Sequence, residues 1–122
     1  MVIKILCDME RETTLAEWHE AAASGDLADE QGLQVQKGRD RIYLCRSQGV
    51  AHAVEDRCSH GEAVFSESGR VRRGALLCLA HGARFDLASG RCLGAMRCPQ
   101  LRRWHVREED GVIFLGAEYP PG

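Results

Sequence analysis

Apolar residues in this chain come in short runs broken by polar residues and by glycines, which recur at roughly ten-residue intervals from Gly25 to Gly122. Turns that frequent predict short strands. Arg41-Ile42-Tyr43-Leu44-Cys45-Arg46 and Val50-Ala51-His52-Ala53-Val54 flank a Gly49-containing turn and read as a hairpin. Lys37-Gly38-Arg39-Asp40 links an earlier strand, around Leu33-Gln34-Val35, to that hairpin. Leu101 to Arg107 and Val112-Ile113-Phe114-Leu115 flank Glu108-Glu109-Asp110-Gly111, a second hairpin signature. The pattern predicts an all-β chain of antiparallel sheets.

One stretch supports two structures. Thr14-Leu15-Ala16-Glu17 matches a capping box, and Leu15, Trp18 and Ala22 recur at helical spacing before Gly25, so local rules predict a helix. A strand from Trp18 to Ala22 is the competing reading. Residues 1–14 read as an N-terminal extension, residues 15–117 as a single domain, and Pro120-Pro121-Gly122 as a frayed tail.

Sixteen basic and eighteen acidic residues leave a formal net charge of -2, so there is no global field to hold a nucleic-acid backbone or an anionic membrane. Neither is expected as a partner. The longest apolar runs, Val2 to Leu6 and Ala75 to Ala80, fall far short of the roughly 20 residues that span a bilayer. No signal-peptide h-region or cleavage site follows Met1-Val2-Ile3-Lys4, and the expected location is the cytoplasm. In a reducing cytosol the six cysteines read better as metal ligands than as three disulfides.

Two motifs then stand out: Cys58-Ser59-His60-Gly61 and, further on, Cys78-Leu79-Ala80-His81-Gly82. Each offers one thiolate and one imidazole. Either alone is a weak signal, but together, in order and each followed by glycine, they are strong. The glycines are expected to adopt positive φ and to bring backbone N–H groups close to a bound ion or sulfide. A Cys2His2 set also suits structural zinc, although zinc-finger spacing usually keeps the two Cys together and the two His together. Cys7, Cys45, Cys92 and Cys98 read as small packing residues. His19, His52 and His105 lack paired ligand spacing and read as structural; Arg72-Arg73 and Arg102-Arg103 read as solvated strand faces.

The C-x-H and C-x-x-H pair resembles the Rieske family of [2Fe-2S] proteins. Glu55-Asp56-Arg57, Arg84-Phe85-Asp86, the turn Ala88-Ser89-Gly90-Arg91 and Trp104-His105-Val106-Arg107 also look like small Rieske ferredoxins, so the resemblance covers roughly residues 18–116. It implies the Rieske fold, with a small cluster-binding subdomain over about residues 56–99 at one tip, and favours the strand at Trp18 to Ala22. It further implies one [2Fe-2S] cluster, with Cys58 and Cys78 on one iron and His60 and His81 on the other. Two Fe(III), two sulfides, two thiolates and two neutral imidazoles sum to zero charge, which makes the added electron easier to accept than with four thiolates.

The branch of the family follows from what the matching positions hold. Respiratory-chain Rieske subunits carry an extra Cys in each cluster loop, joined as a disulfide; here those positions are Ala63 and Ala80. Large oxygenase subunits continue into a mononuclear-iron domain, which is not expected in a chain of 122 residues. The best fit is the ferredoxin component of an aromatic-ring-hydroxylating dioxygenase, a soluble one-electron carrier with no catalytic residues of its own. It would take electrons from a flavin-dependent NAD(P)H reductase and deliver them to a terminal oxygenase. The alternative is a small Rieske-type subunit of an assimilatory nitrite reductase. The resemblance also puts Glu62, Arg84 and Met96 near the His ligands, and Pro99 three residues beyond the usual proline position, so a reshaped shielding loop is expected. High-potential members place Ser and Tyr where this chain has Ala83 and Phe85, which implies a low reduction potential.

Overall fold

Ile42, Tyr43, Leu44 and Cys45 are consecutive and all buried. Because side chains alternate across a strand, such a run needs apolar cover on both faces. The computed structural model shows this: Ile42 and Leu44 join one core, with Leu27, Ala53, Trp104, Ile113 and Leu115, while Tyr43 and Cys45 join a second, with Val54, Phe65, Leu76 and Phe85. The structure describes residues 18–59, 61–94 and 97–120. The extension 1–14, the capping box, Cys7, His60, Met96 and the terminal Pro121-Gly122 lie outside the described residues.

Among the described residues, ten strands form two antiparallel sheets. The larger has the order β1 (His19–Ala23), β10 (Val112–Glu118), β9 (Arg103–Glu109), β4 (Val50–Glu55), β3 (Asp40–Ser47) and β2 (Gly32–Lys37). The smaller runs β5 (Gly69–Arg72), β6 (Ala75–Cys78), β7 (Arg84–Asp86) and β8 (Cys92–Leu93), entered through the single helical turn α1 (Phe65–Ser68). Both expected hairpins form, in the registers Tyr43↔Val54 and Phe114↔Arg107. No helix among the described residues is long and apolar enough to cross a membrane.

The ambiguous stretch is a strand over its described part. His19, Glu20, Ala22 and Ala23 pair with Leu115, Phe114, Ile113 and Val112, with a register shift at Ala21. Ala21 and Ala22 pack on the first core and Trp18 lies against Gly116, so edge pairing overrides helical spacing. A departure from the expected solvated strand face is at Arg72-Arg73. Arg72 ends β5, but Arg73, at φ 50°, and Gly74, at φ 80°, are the turn of the β5–β6 hairpin, the type I′ geometry that needs two positive φ values. Arg102 is committed as well: its guanidinium bridges Asp40 (3.1 Å) and Glu118 (2.8 Å), joining the start of β3 to the end of β10.

Candidate metal centre

Two loops, one between β4 and α1 and the other between β6 and β7, share the same backbone closure. The Cys58 N–H donates to the Ala63 carbonyl and the Cys78 N–H to the Ala83 carbonyl, both at 2.8 Å. Within each loop the Cys carbonyl accepts in turn, from the Gly61 N–H (3.1 Å) and from the Gly82 N–H (2.7 Å). Each cysteine is therefore held at the neck of a six-residue loop, with its sulfur turned to a common point. The Cys58, Cys78 and His81 donor atoms all lie within 4.8 Å of one another, and the Cys78 Sγ stands 3.8 Å from His81 Nδ1. The two thiols are buried and the imidazole is exposed. Three of the four expected ligands are thus brought together; His60 lies outside the described residues.

The two glycines do different work. Gly82 takes φ 80°, as expected of the glycine after a ligand. Gly61 does not adopt a positive φ; its role is close approach, because a Cβ there would sit 2.8 Å from His81 Cε1. The contact between the loops is possible only without a side chain at residue 61.

The support below the loops is polar and specific. Asp56, two residues before Cys58, is 3% exposed. Its carboxylate accepts the Ser66 N–H (2.8 Å), the Ser66 hydroxyl (2.6 Å) and the Gln34 side-chain amide (2.6 Å), which pins the first loop to α1 and β2. The Ser59 hydroxyl donates to the Pro99 carbonyl, so the displaced proline still closes over the first loop. Beneath lies a second thiol pair that ligand spacing did not disclose. Cys98, raised to about 11 by burial and a hydrogen bond with Cys92, packs with Cys92 against the core that contains Cys58 and Cys78. Six residues separate the two in sequence, a spacing with no ligand signature, and neither belongs to the convergent donor group.

The other candidates fall where packing places them. Cys45 is fully buried and its thiol is pushed up to about 12 by desolvation. His105 stacks on Tyr119 at 3.7 Å, and His52 is half-buried, its burial favouring the neutral ring. Glu62 is exposed, 3.7 Å from Arg57.

Two soft thiolates beside an imidazole, with no carboxylate in the donor group, suit iron–sulfur or zinc and not a hard cation. Comparison with known proteins decides between them. Residues 17–105 match the model of the Rieske [2Fe-2S] domain. The chain is 38% identical over 96 residues to the ferredoxin component of the p-cumate 2,3-dioxygenase system of Pseudomonas putida, covering 76% of this chain and 80% of that one. It is 30% identical over 96 residues to the ferredoxin component of biphenyl 2,3-dioxygenase of Rhodococcus jostii (strain RHA1), covering 79% and 89%. Its fold superposes with a TM-score of 0.75, at 24% identity, on a chain from the complex of reduced oxygenase and oxidized ferredoxin in carbazole 1,9a-dioxygenase, covering 82% of this chain and 93% of that one. With the convergent Cys and His donors in hand and the family model spanning most of the sequence, the chain belongs to the Rieske [2Fe-2S] domain family.

Proposed function

We propose that this chain is the ferredoxin of a ring-hydroxylating dioxygenase system, a one-electron carrier whose cluster is held by Cys58, His60, Cys78 and His81. The observation that carries the reading is the asymmetry of the donor set: buried thiols behind, an exposed imidazole in front. The cluster, when bound, supplies a single reversible electron. The chain's own residues do the rest. Cys58, in the loop after β4, and Cys78, at the end of β6, would anchor it from the buried side, and exposed His81 would offer the edge through which an electron crosses to a partner. The ferredoxin components of the p-cumate and biphenyl dioxygenases are relatives along most of their length, which supports a terminal oxygenase as acceptor and a flavin-dependent NAD(P)H reductase as donor. A cytoplasmic setting accords with thiols kept reduced as ligands.

The test has two stages. Purified protein is expected to be red-brown and, when reduced, to give an EPR signal of mixed His/Cys ligation that His81→Cys or His60→Cys changes; stoichiometric zinc in a colourless protein overturns the assignment. In reconstitution, a dioxygenase reductase with NAD(P)H is expected to reduce it, and the oxygenase to hydroxylate its aromatic substrate only in its presence. Copurification in a fixed complex with a sirohaem enzyme would instead select the nitrite-reductase subunit.

A further inference from the structure

Charge is unevenly divided along this chain. Residues 56–99 hold seven arginines and four carboxylates, although the whole chain is net negative at -2. The small sheet therefore carries a positive field on a molecule that is otherwise acidic. Register shows where that charge sits. Arg70 pairs with Leu77, Leu77 with Arg84 and Arg84 with Leu93, so these four side chains form one cross-strand row on one face. Their inward neighbours Val71, Leu76 and Phe85 are buried in the core, so the row faces solvent. Arg70 and Arg84 are exposed; Leu77 and Leu93 are half-buried. Four strands span about 14 Å, and along that length cation and aliphatic side chain alternate.

Neither Arg70 nor Arg84 lies within ion-pair distance of a carboxylate among the described residues. Among the described residues, both guanidinium groups therefore stand exposed without a carboxylate partner. The row also adjoins the metal centre. It lies one residue from Cys78, and beyond Cys78 comes Leu79, 57% exposed, which leads to His81. Arg84 reaches towards the chain after β8, its Nη2 lying 3.7 Å from the position a Cβ on Gly94 would take.

We propose that the outer face of the small sheet, the Arg70–Leu77–Arg84–Leu93 row with Leu79, docks a protein redox partner whose surface presents carboxylates around a small apolar centre. The proposal rests on the electron-carrier reading above and adds the chemistry of the partner to it. Charge complementarity selects the occupant: guanidinium groups pair bidentately with carboxylates, and the leucines supply an apolar centre between the charges. A nucleic acid fits less well, because the acidic remainder of the chain repels a long polyanion while a partner protein needs to touch only this face.

The experiment uses the reduced holoprotein and stopped-flow oxidation by two small one-electron oxidants, anionic hexacyanoferrate(III) and cationic tris(phenanthroline)cobalt(III); each takes one electron from the cluster, and its own metal falls from the 3+ to the 2+ state. The anionic oxidant is expected to react faster at low salt and to slow as salt rises, in spite of the negative net charge. Arg70→Glu/Arg84→Glu is expected to reverse that order and to lower the rate of electron delivery to a dioxygenase terminal oxygenase by about tenfold at low ionic strength. Arg107→Glu, on the large sheet, is the control. EPR spectrum and midpoint potential are expected to stay as in the wild type, which separates a docking defect from a lost cluster. Oxidation rates that ignore oxidant charge, or a double variant with an intact cluster that delivers electrons at the wild-type rate, overturn the proposal. Preferential binding of duplex DNA over an acidic redox partner also overturns it. A wild-type protein that never reduces the oxygenase overturns the carrier reading itself.

Discussion

Ala83 and Phe85 are both fully buried just beyond the second ligand loop, and neither carries a hydroxyl. Where a Rieske protein has Ser and Tyr at these positions, each hydroxyl donates a hydrogen bond that favours the reduced, more negative state. A hydrogen bond to a charged group contributes about 1.5–3 kcal/mol, and about 1.4 kcal/mol corresponds to 59 mV for one electron, so each missing donor lowers the potential by roughly 60–130 mV. The wild-type midpoint is expected near the low end of the range of about -150 to +300 mV. Ala83→Ser is expected to raise it by tens of millivolts in voltammetry. Phe85→Tyr adds its oxygen to a ring packed edge-on against Phe65, 5.9 Å away, so its gain is expected to come with some loss of stability. A midpoint above about +150 mV for the wild type contradicts this account. Gly61→Ala is a second residue-scale test. With its Cβ 2.8 Å from the His81 ring, it is expected to lower iron content and visible absorbance, whereas Gly25→Ala, with nothing within 4 Å, leaves both unchanged.

At the scale of elements, two carboxylates join segments far apart in sequence. Asp56 joins the end of β4 to α1 and β2; Asp56→Ala removes the buried carboxylate that accepts from the Ser66 N–H, the Ser66 hydroxyl and the Gln34 amide, and a hydrogen bond to a charged group contributes about 1.5–3 kcal/mol. A lower thermal midpoint with early cluster loss is the expected outcome, and unchanged melting would show that the linkage is dispensable. Glu108 joins β9 to β3. Bidentate hydrogen bonds from Arg46, at 2.8 and 3.0 Å, hold its acid well down, at about 2. A carboxylate whose folded pKa lies below its unfolded value of 4.5 contributes stability above pH 4.5 and loses it as pH falls towards 2. The melting-temperature difference between wild type and Glu108→Gln, largest at neutral pH, is therefore expected to shrink steadily on acidification through that window.

On the scale of the whole molecule, the separation into two cores predicts how the protein responds to losing its cluster. The core of Ile42, Leu44, Trp104, Ile113 and Leu115 includes no candidate ligand, while the other contains both Cys58 and Cys78. Chelation of iron is expected to lower overall stability, since a group that binds only the folded state stabilises it. It is expected to erase amide-exchange protection across β5–β8 while leaving β3, β9 and β10 protected. Equal loss of protection in both sheets would show that the cores are one cooperative unit.

What was legible in the sequence was local. The hairpins at Gly49 and Gly111 could be read because a two-residue turn and its flanking alternation lie within about a dozen residues. The Cys78–His81 pair could be read because ligand spacing within a loop follows from the loop's own length. The resemblance implied a small cluster-binding subdomain, but its individual strands could not be read from the pattern, because they are two to four residues long. At most two buried residues in each, Val71 alone in β5 and Phe85 alone in β7, make too short a pattern to carry a period. Local spacing from Leu15 to Ala22 satisfied helix rules, and the strand that the resemblance favoured at Trp18 to Ala22 owes its existence to pairing with β10, about ninety residues away in sequence. The same holds for the closeness of Gly61 to His81, the Cys92–Cys98 contact and the alternating Arg–Leu row. The first needs two loops to meet across twenty residues of chain, and the other two, although their neighbouring members lie within ten residues of each other in sequence, depend on the register of strands too short to be read locally, so tertiary packing decided them.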